Sequence, residues 1–130
     1  MKLLLVEDDQ MILKALKLAI EREGIDVTTA TNGNEALEQI SLQKIDVLVT
    51  DIIMPDKEGI ETIAAVKRSH PDIKIIAMSS GGRSFSADVL DMAQKIGADA
   101  VLKKPFNSTD LIEKIKELHP GDASPLGSVA

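Results

Sequence analysis

Several side chains that could bind a cation or take part in group transfer directly follow or end short apolar runs of the sequence. Asp51 stands in the stretch "LVTDIIMP" (48–55), where apolar residues surround the acid before Pro55. Burying a bare carboxylate costs several kcal/mol unless something pairs with it. The other candidates in comparable positions are Glu7, Asp8, Asp9, Ser79, Ser80, Lys103 and Lys104.

Carboxylates that share one pocket repel one another, and proteins usually offset this repulsion with a bound divalent cation. If Glu7, Asp8 and Asp51 meet, their ligand atoms are all oxygens, because no His or Cys stands among them. Such a donor set favours Mg²⁺ or Mn²⁺ over zinc. The residue types therefore predict a site for a hard metal ion, with a lysine close by.

The elements that must position these residues alternate regularly along the chain. Apolar runs of about five residues, rich in Val, Ile and Leu, are typical of strands buried on both faces. Stretches with helical periodicity lie between these runs, which predicts an α/β fold with a parallel sheet covered by helices on both faces. In such a sheet, functional residues gather beyond the carboxyl ends of the strands. The runs are "KLLLV" (2–6), "DVTTA" (26–30), "DVLVT" (46–50), "KIIAMS" (74–79) and "DAVLK" (99–103).

Residues that favour helix ends agree with this division. Asn32, with Glu35 three residues later, and Asn107, with Asp110, resemble N-terminal caps. Gly24 and Gly97 follow two of the helical stretches, as glycine commonly does. Asp9 is the acid of the first cluster that we expect to act only as a helix cap.

Composition narrows the class of protein. A chain of 130 residues, 44% hydrophobic and 28% charged, fits one globular domain. The net charge of −6 argues against a nucleic-acid-binding surface, and the absence of cysteine excludes disulfides. No apolar run is long enough for a signal peptide or a membrane span, so we expect a cytoplasmic protein. We expect residues 1–119 to form the domain and residues 120–130 to be a flexible tail or the stub of a linker.

At the candidate residues the sequence resembles the receiver domain of bacterial response regulators, over residues 1 to about 119. The resemblance lies in "LLLVEDD", "VTDIIMPDKEG", "IIAMSS" and "LKKPF", which stand in the family's order at four strand ends. It implies a flavodoxin-like fold, with a five-stranded parallel sheet of order 2-1-3-4-5 and five helices. It also implies roles for individual residues: Asp51 is the phosphoacceptor, Ser79 the hydroxyl residue and Lys104 the lysine, while Gly59 lies near the next helix start. The metal would be held by Asp8, Asp51 and the carbonyl of Ile53, with Glu7 acting through water.

The function implied by the resemblance is that of a phosphorylation switch in a two-component phosphorelay. Asp51 would accept a phosphoryl group from a sensor histidine kinase or a histidine phosphotransfer protein, with Mg²⁺ or Mn²⁺ bound. The domain would catalyse only its own phosphorylation and dephosphorylation. Its conformational change would then control a downstream protein or output domain through the face around the fourth helix, fifth strand and fifth helix, without binding nucleic acid or membrane itself.

One departure from the family pattern and two other interpretations remain. Val101 stands on the fifth strand where many receivers carry an aromatic residue, so an aromatic rotation cannot be the readout here. A phosphohydrolase of another α/β fold would usually place a second acid two residues after Asp51, where this chain has Ile53. A degenerate receiver that only binds partners would not need the acid, hydroxyl and lysine set. The chain could be a standalone receiver or part of a multidomain regulator.

Overall fold

The computed structural model describes residues 1–52, 58–79, 87–103 and 106–120. Strands and helices alternate along this part of the chain from the first strand to the last helix. In chain order they are β1 (Lys2–Val6), α1 (Gln10–Glu21), β2 (Asp26–Ala30), α2 (Gly33–Leu42), β3 (Val47–Asp51), α3 (Glu58–Ser69), β4 (Lys74–Ser79), α4 (Ala87–Ile96), β5 (Ala100–Lys103) and α5 (Ser108–Leu118).

The strands form one five-stranded parallel sheet in the order β2-β1-β3-β4-β5. The α/β, flavodoxin-like fold predicted from the sequence is therefore confirmed. β3 lies at the centre, with Thr50 opposite Val6 of β1 and Asp51 opposite Met78 of β4. Because the strands are parallel, the carboxyl ends of β1, β3 and β4 meet at the same edge of the sheet. We call this the carboxyl edge.

Two apolar layers cover the two faces of the sheet. Leu3 and Leu5 of β1 pack in the layer that includes residues of α1 and α5, whereas Leu4 and Val6 pack in the layer that includes residues of α2, α3 and α4. Successive side chains of a strand point to opposite faces, so a strand covered on both sides needs apolar residues throughout. This explains the continuous apolar runs of the sequence, and it gives the carboxyl edge a rigid support.

The helix ends follow the predicted capping residues. The Asp9 carboxylate accepts hydrogen bonds from Met11 N and Ile12 N, at 3.0 and 3.2 Å, at the start of α1. Asn32 caps α2 through Glu35 N, and Asn107 with Asp110 forms a complete capping box on α5. These caps satisfy backbone N–H groups that the helix itself leaves free.

Gly97 closes the connection from α4 to β5 with a φ of 130°, a conformation that other residues rarely adopt. The Lys67 side chain of α3 packs directly over it, so that a Cβ at this position would collide with Lys67 Cγ. Lys67 Nζ also lies 3.2 Å from Asp99 Oδ2, an oxygen that accepts a hydrogen bond from Ile75 N at 2.8 Å. This cluster links α3, β4 and β5 at the amino ends of the strands, opposite the carboxyl edge.

Within the described ranges, no helix is long and apolar enough to cross a membrane. α5 ends at Leu118, close to the boundary predicted at residue 119. Of the predicted tail, residues 121–130 lie outside the described part of the chain, so the tail stays a prediction.

Candidate functional site

Three carboxylates meet at the carboxyl edge. Glu7 and Asp8 directly follow β1, and Asp51 is the last residue of β3. Each offers an oxygen atom within 4.8 Å of the oxygens offered by the other two. The adjacency of β1 and β3 in the sheet explains this convergence, because residues far apart in sequence leave neighbouring strands at the same level. The meeting of these acids, expected from the strand pattern, is therefore present in the structure.

Burial raises the energetic cost of placing these negative charges close together. Glu7 is 2% exposed and Asp51 is 3% exposed, whereas Asp8 is open to solvent. Glu7 Oε2 accepts a hydrogen bond from Asp9 N at 3.1 Å, which orients that carboxylate. At a separation of 4.8 Å, two full negative charges near a protein surface repel one another by roughly 3 kcal/mol. A positive charge at this point would offset that repulsion.

The donor set fits a hard divalent cation. Its three side chains supply carboxylate oxygens, the ligand type that Mg²⁺ and Mn²⁺ prefer. Asp8 is exposed, so that an ion and its remaining water ligands can reach the cluster from solvent. The predicted fourth ligand, the carbonyl of Ile53, lies outside the described residues.

A buried hydroxyl lies at the end of the neighbouring strand. Ser79 is the last residue of β4 and is completely buried, and its Oγ has no hydrogen-bond partner within the described ranges. Leaving a buried hydroxyl unsatisfied typically costs about 1–3 kcal/mol, and native structures rarely do so without a reason. Ser79 therefore supplies, at the edge where Asp51 lies, a donor that is available to a further group.

The lysine part of the site is only partly described. Lys103 ends β5 opposite Ser79 of β4 and is exposed. Lys104, the lysine assigned to the site from the sequence, lies outside the described residues. Val101 of β5 is partly buried and packs against the layer that α2, α3 and α4 cover.

Thr50, which received no role from the sequence, and Gly59, which was only expected near a helix start, both contact the backbone of Asp51. Thr50 is buried, and its Oγ1 donates a hydrogen bond to the Asp51 carbonyl at 3.2 Å. Gly59, near the start of α3, packs against the carbonyls of Asp51 and Ile52. For Thr50, the sequence did give one indication of a special role, because it is a polar residue at the end of the otherwise apolar run "VLVT". The glycine alone gave no signal of its close contact, because that depends on how α3 approaches β3.

Comparison with known proteins agrees with this geometry. The family model described as "Response regulator receiver domain" matches residues 3–116. The transcriptional regulatory protein CpxR homolog of Haemophilus influenzae is 35% identical over 129 residues, which cover 99% of this chain and 55% of that protein. The chain thus spans about half the length of this curated relative.

Solved structures of response regulator receiver domains have the same fold as this chain. The receiver domain protein (CheY-like) from Methanospirillum hungatei JF-1 has a TM-score of 0.84 and 34% identity, and the match covers 94% of this chain and 96% of that one. The response regulator TrrA from Thermotoga maritima, solved in complex with Mg²⁺-BeF, has a TM-score of 0.78 and 32% identity, with 90% and 97% covered.

Proposed function

Because this chain belongs to the response regulator receiver domain family, we propose that it is a phosphorylation-controlled switch of a two-component system, with Asp51 as its phosphoacceptor. The donor is a phosphohistidine, carried by a sensor histidine kinase or a histidine phosphotransfer protein. The observation that carries this assignment is the position of Asp51, a buried carboxylate that ends the central strand within 4.8 Å of two further acids. We place the reaction in the cytoplasm, the compartment typical of the family.

The chemistry follows from what each side chain can contribute. An Asp51 oxygen attacks phosphorus, a P–O bond forms, the P–N bond to the donor imidazole breaks, and that imidazole takes up a proton. The Ser79 hydroxyl donates a hydrogen bond to a phosphoryl oxygen, and the Lys104 ammonium pairs with another. Asp8, Asp51 and the Ile53 carbonyl would hold Mg²⁺ or Mn²⁺ directly, with Glu7 acting through water, and the ion would supply positive charge that offsets the charge of the phosphoryl oxygens.

Labelling with a small phosphodonor tests the proposed function. We expect acetyl phosphate with Mg²⁺ to add one phosphoryl group to the purified chain, seen by intact mass spectrometry. EDTA should abolish the addition and excess Mg²⁺ should restore it, because the acids repel both one another and the incoming group without the cation. Undiminished labelling in EDTA would contradict the metal requirement. Continuous hydrolysis of an aryl phosphate would instead favour a phosphohydrolase.

Replacing Ser79 with alanine should impair the conformational response to phosphorylation without lowering the stability of the fold. Since Ser79 Oγ has no hydrogen-bond partner within the described residues, its removal should leave the melting temperature unchanged or slightly raised. The variant should still be labelled on Asp51, but it should lose most of the amide chemical-shift changes that phosphorylation causes in α4 of the wild type. Ser41→Ala, which removes an exposed hydroxyl on α2, is the control and should behave as wild type. Wild-type shift changes in Ser79→Ala would refute the role of Ser79.

The side chain of Ile53 is expected to set how long the phosphoryl group persists. It stands two residues after Asp51 and has no polar atom to orient an attacking water, so we expect a lifetime of minutes or more. Ile53→Asn should speed phosphate release by roughly 10-fold, below the usual contribution of a well-positioned acid or base, because an amide can orient the water but does not take up its proton. Ile53→Val, which stays apolar and branched, should release phosphate at the wild-type rate. A wild type that loses its phosphate within seconds, or an asparagine variant that loses it more slowly, would disprove this role.

The output of the switch is proposed to run through the face formed by α4, β5 and α5. Without an aromatic residue at Val101, the change at Ser79 must reach this face through the connection from β4 to α4 and through α4 itself. The recipient is a downstream protein or an output domain joined to the receiver. The net charge of −6 makes direct nucleic-acid binding by this chain unfavourable.

A further inference from the structure

Gly59 lies in unusually close contact with the backbone of the phosphoacceptor strand. It is buried near the start of α3, and a Cβ at this position would collide with the carbonyl oxygen of Asp51. The same Cβ would lie 2.5 Å from the Ile52 carbonyl oxygen and 2.7 Å from Ile52 Cα. Ordinary contacts between non-bonded carbon atoms are about 3.5–4.0 Å. Only a residue without a side chain allows α3 to approach β3 this closely.

The peptide that Gly59 contacts has little freedom to move away. Asp51 is paired with Met78 of β4, and Ile52 N donates a hydrogen bond to Met78 O at 2.8 Å. Thr50 Oγ1 holds the Asp51 carbonyl oxygen at 3.2 Å. These are backbone atoms at the carboxyl end of the central strand, and they yield less readily than the end of a flexible side chain. An added methyl group must therefore displace either α3 or the backbone that carries the Asp51 carboxylate.

We propose that Gly59 is a positioning residue for the phosphorylation site. Because it has no side chain, the start of α3 can pack directly against the Asp51–Ile52 peptide. This contact fixes the position of the Asp51 carboxylate relative to the carboxylates of Glu7 and Asp8. Mg²⁺ demands near-ideal octahedral geometry, with ligand distances of about 2.0–2.1 Å. A displacement of the Asp51 backbone by a few tenths of an ångström is therefore enough to weaken the site. This inference rests on the proposed function and adds to it the residue that holds the acceptor in place.

The test compares two glycine-to-alanine variants, Gly59→Ala and Gly97→Ala. Gly97 is the matched control, because alanine there meets an unfavourable φ and the Lys67 side chain at the opposite edge of the sheet. Mg²⁺ affinity is measured by calorimetry and by amide chemical shifts, since the chain has no Trp or Tyr to report by fluorescence. The labelling rate with acetyl phosphate is measured across Mg²⁺ concentrations, and the melting temperature is recorded for each variant.

For Gly59→Ala we expect Mg²⁺ affinity to fall by about 10-fold or more, as when a group that orients a metal ligand is lost. Its labelling should stay slower than wild type even at saturating Mg²⁺, because the nucleophile itself is displaced. Gly97→Ala should lower the melting temperature while keeping the wild-type Mg²⁺ affinity and labelling rate. A Gly59→Ala chain with wild-type affinity and rate would overturn the inference, whatever its melting temperature.

The remaining outcomes are also decisive. If Gly59→Ala is unfolded at room temperature, the titrations are repeated in trimethylamine N-oxide at a concentration that restores the wild-type helical signal. A Gly59→Ala chain that stays unfolded beside a folded Gly97→Ala chain would also overturn the inference, since the fold rather than the site would then need the glycine. A wild type that neither binds Mg²⁺ nor becomes labelled would contradict the proposed function instead.

Discussion

Asp51→Asn is expected to abolish phosphorylation of the chain. The amide has nearly the shape of the carboxylate, so the buried end of β3 should keep its packing and the circular dichroism should match that of the wild type. An amide oxygen does not form a stable acyl phosphate, and the removal of the nucleophile itself leaves nothing for positioning to act on. Intact mass spectrometry after incubation with acetyl phosphate and Mg²⁺ should show only the unmodified chain.

Asp46→Asn is the matched control for this substitution. Asp46 directly precedes the same strand at its amino end, where its carboxylate accepts a hydrogen bond from Lys2 N at 2.9 Å. An asparagine can accept that hydrogen bond as well, so the variant should fold and become labelled at the wild-type rate. One phosphoryl group on Asp51→Asn, added as fast as to the wild type, would show that another residue is the acceptor.

Asp8→Ala should produce the second large effect, a loss of Mg²⁺ affinity. Asp8 is the exposed member of the carboxylate cluster, so its truncation costs little packing but removes the ligand that we propose binds the ion directly. We expect the affinity to fall by more than the roughly 10–100-fold that loss of an outer-shell partner typically causes. Calorimetric titration with Mg²⁺ measures the change, and labelling should require correspondingly more Mg²⁺.

Asp9→Asn controls for the loss of one negative charge beside the site. Asparagine caps helices as well as aspartate does, so α1 should keep its N-terminal hydrogen bonds to Met11 N and Ile12 N. This variant should bind Mg²⁺ nearly as tightly as the wild type, because Asp9 is not one of the acids that converge. Equal losses of affinity in Asp8→Ala and Asp9→Asn would point to a general charge effect and would refute direct ligation by Asp8.

The sequence predicted most of the fold because its signals are local and agree with one another. Continuous apolar runs such as "KLLLV" identify strands that are covered on both faces, and the polar residues that end them mark the carboxyl edge. The meeting of Glu7, Asp8 and Asp51 then follows from the adjacency of β1 and β3. Parallel strands whose connecting helices share one handedness leave few alternatives for where these acids can lie.

Details that depend on how one element packs against another could not be predicted from these local signals. The spacing of Asn32 and Glu35 correctly predicted that Asn32 caps α2. It did not predict that the Glu35 carboxylate accepts hydrogen bonds from Thr31 N and Thr31 Oγ1, at 2.7 and 2.9 Å. The choice between neighbouring donors depends on side-chain rotamers that spacing does not determine. The close contact of Gly59 with β3 likewise depends on the path of α3 relative to the sheet. The roles of Lys104 and Ile53 stay predictions, since both residues lie outside the described part of the chain.

Chemical trapping of the phosphorylated residue tests most directly whether Asp51 is the acceptor. Borohydride reduces an aspartyl phosphate to homoserine, which marks the modified position permanently and can be located by tandem mass spectrometry of peptides. After labelling with acetyl phosphate and Mg²⁺, we expect homoserine at position 51 alone, and none when EDTA is present. Homoserine at another aspartate, or a phosphoryl group that persists on a serine or histidine after reduction, would contradict the assignment of Asp51.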